Sequence, residues 1–238
     1  MATRSLEVTR TIRDRVLRGI YPGGMRLNEV ELATSLSVSR TPVRGALSTL
    51  ASEGLLDYTP NSGYVVHRYT ARDIADIYKV RGELDGLAAR LAADAGLNDS
   101  QRGAMARVID ETAPFLRLEA FDEAARTELR DLNVRFHDII YEACGNPFLA
   151  QMVRRTNLPI LGHLRSVDFD PVALCRAHDD HVELFEAIVS RDAVRADALG
   201  TEHVFRTGRR LVEQMRRREA LQHAGLPTPT AEPLKAAG

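Results

Sequence analysis

The stretch "SVSRTPVRGALSTLASEGLL", residues 37–56, decides the fold. Val43, Ala46, Leu47 and Leu50 recur at helical spacing and give this segment one apolar face. Ser39 stands as the N-cap, and Gly54 is a stop signal. Pro42 falls in the first turn, where a missing N–H removes no intrahelical bond. Arg40 and Arg44, four positions apart, share the face opposite the apolar one. A helix that starts with exposed backbone N–H groups and two guanidinium groups suits phosphate or guanine contact. Thr41 can donate to a phosphate or touch a thymine methyl.

The flanking segments give this helix a context. Residues 5–20 read as a first helix, with Ile12, Val16 and Ile20 in one stripe, and Pro22-Gly23-Gly24 stops it. Asn28 followed by Glu31 forms a box-like start signal for a second helix, and "SLSVS" is a tight connection to the third. After Gly54, "LLDYTPNSGYVVHRY" places β-branched and aromatic residues on both sides of Pro60-Asn61-Ser62-Gly63, a hairpin with a four-residue turn. Three helices and a hairpin predict a winged helix-turn-helix.

From residue 71 the pattern is helical throughout, with Ile74, Ile77, Tyr78, Leu84, Leu87 and Leu91 opening the run. Asp99 or Ser100 starts the next helix. A long amphipathic segment from Glu123 to Cys144 closes at Gly145-Asn146, and Pro147 suits the first turn of its successor. Further helices run to about 190 and from 192 to 223, which predicts an all-α bundle of roughly six or seven helices. The expected fold is mainly α. A winged helix-turn-helix occupies residues 1–70, an all-helical effector-binding and dimerisation domain 71–224, and a disordered Pro- and Ala-rich tail 225–238.

Composition narrows the function classes. The 238 residues are 44% hydrophobic with a net charge of -1, enough apolar content for a core and no global bias toward nucleic acid. The charge is uneven: residues 1–70 hold nine Arg against six acidic residues, and the remainder holds 23 basic against 27 acidic. A basic head on an acidic body fits DNA binding by the head. Cys144 and Cys175 show neither metal-motif spacing nor a disulfide framework. With no signal-like N-terminus and no membrane span in the sequence, a cytoplasmic protein without membrane contact is expected.

"GIYPGGMRLNEVELATSLSVSRTPVRGALSTLASEGLLDYTPNSGYVV" resembles the winged-helix domain of the GntR family of bacterial transcription regulators, over nearly all of residues 8–68. The resemblance implies operator contacts by Arg40, Thr41 and Arg44 and a minor-groove wing glycine at Gly63. Three departures stand out: Ser37 replaces a turn glycine, Gly45 replaces a glutamate, and Val30 occupies a position where some members carry an arginine.

Five of the seven histidines fall between residues 137 and 203. A single histidine on an amphipathic helix is an ordinary partly buried polar residue, so spacing alone assigns none of them. Residues 71–223 resemble the FCD domain of the FadR-like GntR subgroup, on "VRGELDGLAARLAA", "FHDIIYEACGNPFL" and "HVELFEAIVSRDAVRADALGTEH". Many FCD domains bind a divalent metal through one Asp and three His. The matching positions are Asn133, His137, His181 and His203, with an amide in place of the carboxylate. Three imidazoles suit Zn²⁺ or Ni²⁺ better than Mg²⁺ or Ca²⁺. A metal with open positions could take an organic acid, with Arg81 and Arg165 as guanidinium partners and His163 lining the pocket.

The leading expectation is therefore a homodimeric regulator, a repressor of a palindromic double-stranded operator, tuned by a small organic acid. Two alternatives stay open at this stage. One is a metal-dependent hydrolase using the histidines, for which Asp179 or Asp180 would be a base. The other is a constitutive DNA-binding dimer without effector.

Overall fold

The structure is a computed structural model that describes residues 2–164 and 170–224. The chain divides into two units, Met1–Ile74 with Arg155–Val167 and Glu213–Gly238, and Ala75–Arg154 with Asp168–Val212.

In the first unit, α1 spans Ala2–Leu17, α2 Glu29–Ser35 and α3 Arg40–Ser52. α1 ends three residues before the expected position 20 because Gly19, at φ +69°, closes its end with an N–H bond to the Val16 carbonyl at 2.9 Å. Asn28 caps α2 as expected, accepting from the N–H of Val30 at 2.8 Å and of Glu31 at 3.4 Å. Ser39 occupies the N-cap of α3 in extended geometry, but its hydroxyl makes no cap bond, so that helix start keeps its N–H groups open. Ser37 adopts φ +52°, a left-handed turn position that favours glycine.

Three short strands complete the winged helix: β1 (Arg26–Leu27), β2 (Leu56–Thr59) and β3 (Gly63–Val66), antiparallel in the order β1-β3-β2. β1 is an addition to the expected hairpin; two residues carry no readable period. The turn is Pro60-Asn61-Ser62, one residue shorter than expected, because Gly63 pairs with Thr59 as the first residue of β3. Val8, Ile12, Leu32, Val43, Leu47, Leu50, Leu56 and Val66 form one buried cluster. Each large apolar side chain there contributes about 1.5–3 kcal/mol. Arg13 on α1 adds a fork onto Glu53 at the end of α3, at 3.0 and 2.6 Å.

The remaining described elements are helical: α4 (Ala71–Ala95), α5 (Asp99–Thr112), a 3-10 turn (Ala113–Arg117), α6 (Glu123–Ala143), α7 (Pro147–Leu164), α8 (Pro171–Val189) and α9 (Ala193–His223). α5 begins where expected, but its cap is Asn98, locked by a reciprocal box with Gln101. The core of the second unit gathers Met105, Val108, Leu132, Phe136, Ile140, Val153, Leu184 and Ile188. Glycine sets how closely α4 and α9 approach. A Cβ on Gly82 would strike the Phe205 ring, one on Gly86 would strike Thr201 and Asp197, and one on Gly208 would strike Tyr78. Only hydrogen-sized residues let these two helices touch, and that contact brings Asp85 on α4 toward His203 on α9. The expected tail, 225–238, lies outside the described residues. Among the described residues, no helix is long and apolar enough to cross a membrane.

Candidate nucleic-acid interface and metal centre

α3 presents two chemically opposite faces. Val43, Ala46, Leu47 and Leu50 are buried, whereas Arg40, Thr41, Arg44 and Gly45 are exposed. The arginine pair, with Thr41 between, thus stands on the outer face at the helix start. Gly63 opens β3 at φ +80°, and no heavy atom lies within 4 Å of where a Cβ would be. The wing glycine is required by its backbone angle and not by crowding.

Sequence reasoning missed one partner of the arginines. Glu29, in the first turn of α2, lies 3.2 Å from Arg44 Nη2 and 3.5 Å from Arg40 Nη2. The Arg44 hydrogen bond leads the effects that hold the Glu29 carboxyl below its ordinary range. These pairs span 15 and 11 positions across a turn, so no spacing rule reveals them.

In the second unit, His137 on α6, His181 on α8 and His203 on α9 converge, with donor atoms within 4.8 Å of one another. Their exposures are 8%, 8% and 5%. Burial pushes His137 and His181 well below the ordinary histidine range, and the neighbouring His203 pushes them the same way. Both are neutral imidazoles near neutral pH, the form that ligates metal. His181 stacks on Phe136 at 4.1 Å between ring centres, and its Nε2 is buried with no hydrogen-bond partner.

Asp180 fixes the third imidazole. Its Oδ2 lies 3.1 Å from His203 Nδ1, and Arg206 Nη1 donates to its Oδ1 at 2.5 Å. Burial opposes ionisation of Asp180, but the bonds from His203 and Arg206 outweigh it and keep the carboxyl below its ordinary range. A carboxylate at Nδ1 leaves Nε2 of His203 as the free lone pair, an arrangement that orients metal-binding histidines. Spacing did not distinguish Asp180 from Asp179; the contact with α9 does.

The other anticipated positions divide. Asn133 is exposed on α6, one turn before His137. Arg81 is buried on α4, with Nε 3.6 Å from Asp85 Oδ2 and the guanidinium 5.0 Å from the Tyr78 ring centre. Asp85 also receives the Tyr141 hydroxyl and lies 3.9 Å from His137 Nδ1. Arg81 therefore belongs to a buried polar chain that ends on the histidines. Arg165 and the side chain of His163 lie outside the described residues. The residues present fit a divalent metal: three imidazoles converge, two held neutral by burial, one ring nitrogen has no protein partner, and a carboxylate orients a third ring.

A winged helix with an arginine pair at the exposed start of α3, on the same chain as a helical unit with a buried polar centre, defines a class: a DNA-binding transcription regulator. Residues 4–66 match the bacterial regulatory proteins of the gntR family, and residues 76–206 match the FCD domain. The chain belongs to the GntR family, in its FCD-domain branch. It is 30% identical over 181 residues to the Nta operon transcriptional regulator of Aminobacter aminovorans, covering 76% of this chain and 81% of that protein. It is 27% identical over 211 residues to the HTH-type transcriptional repressor GlaR of Escherichia coli (strain K12), covering 86% and 94% of the two chains. Among solved structures, E. coli McbR/YncC matches with a TM-score of 0.73 at 22% identity, covering 90% of this chain and 99% of that one, a likeness of fold. The family and these relatives are transcription regulators, so the protein is a regulator and not an enzyme.

Proposed function

We propose that the protein is a cytoplasmic, homodimeric repressor that releases or tightens on a palindromic operator when its helical domain binds a small organic acid. Residues 1–70 form the DNA-binding domain and 71–224 the effector-binding and dimerisation domain. The observation that carries the DNA-binding role is the exposed set Arg40, Thr41 and Arg44 at the open start of α3, with its apolar face buried behind. Arg40 and Arg44 meet guanine or phosphate in the major groove, Thr41 fixes the helix start on the backbone, and Gly63 lets the wing enter the minor groove. A dimer reads two half-sites, so its affinity depends on the spacing of its two recognition helices.

His137, His181 and His203 would hold a divalent metal, Zn²⁺ or Ni²⁺, with Asn133 as the oxygen donor that the resemblance assigns. A bound cation supplies open coordination positions for a carboxylate. This chain's own groups do the rest: Asp180 keeps His203 oriented, Phe136 holds the His181 ring plane, and Arg81 offers a fork to the acid. Support comes from the convergence of the imidazoles, the neutral state of His137 and His181, and the repressor name of a relative that spans most of the chain.

The test is operator binding. Footprinting with the full chain is expected to give a dyad-symmetric protected site. Arg40→Ala and Arg44→Ala are each expected to weaken operator binding by ~1–3 kcal/mol, with relaxed base preference. Unchanged sequence discrimination in both variants would remove them from base readout, and a footprint without symmetry would remove the dimer.

A further inference from the structure

We propose that Asp85 on α4 supplies the negative charge of the metal centre, leaving its Arg81 partner for the metal and thereby freeing Arg81 for the acid. This rests on the reading of the histidines as metal ligands. The argument begins with charge. Three imidazoles and an amide are all neutral, and a divalent cation buried among them has no counter-charge within its donor set. Moving an unbalanced ion into a low-dielectric interior is strongly unfavourable. Asn133 removes the carboxylate that would have balanced it, and that residue is exposed.

Among the described residues, two acidic groups reach the histidines: Asp180, which already pairs with His203 and Arg206, and Asp85, which approaches His137 from within the core. Asp85 is 4% exposed, and its Oδ1 lies 3.9 Å from His137 Nδ1. Its hydrogen bonding is incomplete. Tyr141 donates to Oδ1, while Oδ2 is buried with no hydrogen-bond partner. Arg81 Nε, at 3.6 Å, is close enough for ionic attraction but too far for a hydrogen bond, and it too has no hydrogen-bond partner. A buried pair normally closes fully, because unmet donors and acceptors are costly there. Here both partners hold unused valence, and His181 Nε2, buried and equally unpartnered, is a third open group in the same unit.

A cation among the imidazoles would satisfy these groups together. Asp85 would turn its charge toward the metal. Arg81 would then lack a counter-ion, and its fork would accept the carboxylate of an organic acid. Metal and acid binding would be coupled through this exchange, each stabilising the arrangement that the other needs.

The test is calorimetric titration of metal-stripped, full-length protein with Zn²⁺ and with Ni²⁺ alone. Asp85→Asn is expected to weaken metal binding by ~10–100-fold. Arg81→Met is expected to tighten it by about 10-fold, since Asp85 no longer has a competing cation. The opposite signs are the signature, because a merely structural ion pair would shift both variants in the same direction. Asp85→Asn leaves Arg81 buried without a counter-charge and could unfold, so the Asp85→Asn/Arg81→Met pair is measured as well and is expected to keep the weakened affinity. If His181→Ala abolishes binding while Asp85→Asn and Arg81→Met bind like the unaltered protein, or both weaken equally, Asp85 is not the anion. If the unaltered protein binds neither metal, or His181→Ala binds as well as it does, the histidine centre itself fails and this proposal with it.

Discussion

Glu29 holds Arg44 from across the helix-turn-helix, with its carboxylate 3.2 Å from Nη2 and 3.3 Å from Nε, and it also reaches Arg40. The two side chains proposed to contact DNA are thus both paired with one acid in the free protein. Tethering limits their search, and the negative charge opposes indiscriminate phosphate contact. Glu29→Gln is expected to tighten binding to a scrambled duplex by about 3–10-fold at low salt and to change operator binding less, so the specificity ratio falls. Fluorescence anisotropy with both duplexes over a salt series measures this. An unchanged ratio would make Glu29 a bystander.

Gly45 offers a pair of opposite effects. A Cβ there meets only Ser5 Oγ, at 3.6 Å, an ordinary contact. Gly45→Glu is therefore accommodated and is expected to raise stability by ~0.5–1 kcal/mol through helix propensity. It also sets a carboxylate beside Arg44 on the exposed face, and operator affinity is expected to fall by several-fold at low salt. Thermal denaturation and anisotropy on the same variant give both signs. Loss of stability would show that the glycine serves a contact beyond its own helix.

The buried imidazoles make the metal-free protein sensitive to acid. His137 and His181 sit well below the ordinary value of 6.5 because burial penalises their charged form. Below that value the unfolded chain takes up two protons that the native state refuses. Stability is then fully present above the unfolded value and declines as pH falls beneath it. The slope approaches ~2.7 kcal/mol per pH unit while both native groups stay neutral. Urea midpoints for chelator-treated protein at about pH 7.5 and about pH 5.5 would reveal it. A flat profile would mean that the imidazoles are more open to water than their burial implies.

The α4–α9 contact predicts a steric effect. Gly86→Ala drives a methyl onto Thr201 Oγ1 and to 2.9 Å from the Asp197 carbonyl oxygen. The expected cost is ~1–3 kcal/mol, typical of overpacking. Adding Thr201→Ala removes the nearest clashing atom and leaves Asp197, whose Oδ1 would lie 2.7 Å from the new methyl, so the double variant is expected to recover part of the loss in a double-mutant cycle. Strict additivity would place the strain on Asp197.

Local signals in the sequence carried most of the fold. The recognition helix was legible because its apolar residues repeat at helical spacing while Ser39, Pro42 and Gly54 punctuate it. Details set by competition between neighbours were not. Asn98, Asp99 and Ser100 can each cap a helix, and the box closed by Gln101 selects Asn98. At the wing, Gly63 reads as a turn residue, yet pairing with Thr59 draws it into β3. The three histidines were legible through resemblance. Their supporting acids were not, because His203–Asp180 spans 23 positions and His137–Asp85 spans two separate helices. Such partners are chosen by packing, which leaves no periodic trace.

The glycines between α4 and α9 also decide what kind of motion the centre can have. Where long side chains separate two helices, a local push is absorbed by rotamer changes. Between Gly86 and Gly200 there is no rotamer to change, since backbone meets backbone there. At that point the two helices have little slack, so a push on Asp85 or His203 would shift α4 and α9 together more readily than it would open their seam. The missing side chains leave this seam little mechanical compliance beside the proposed metal centre.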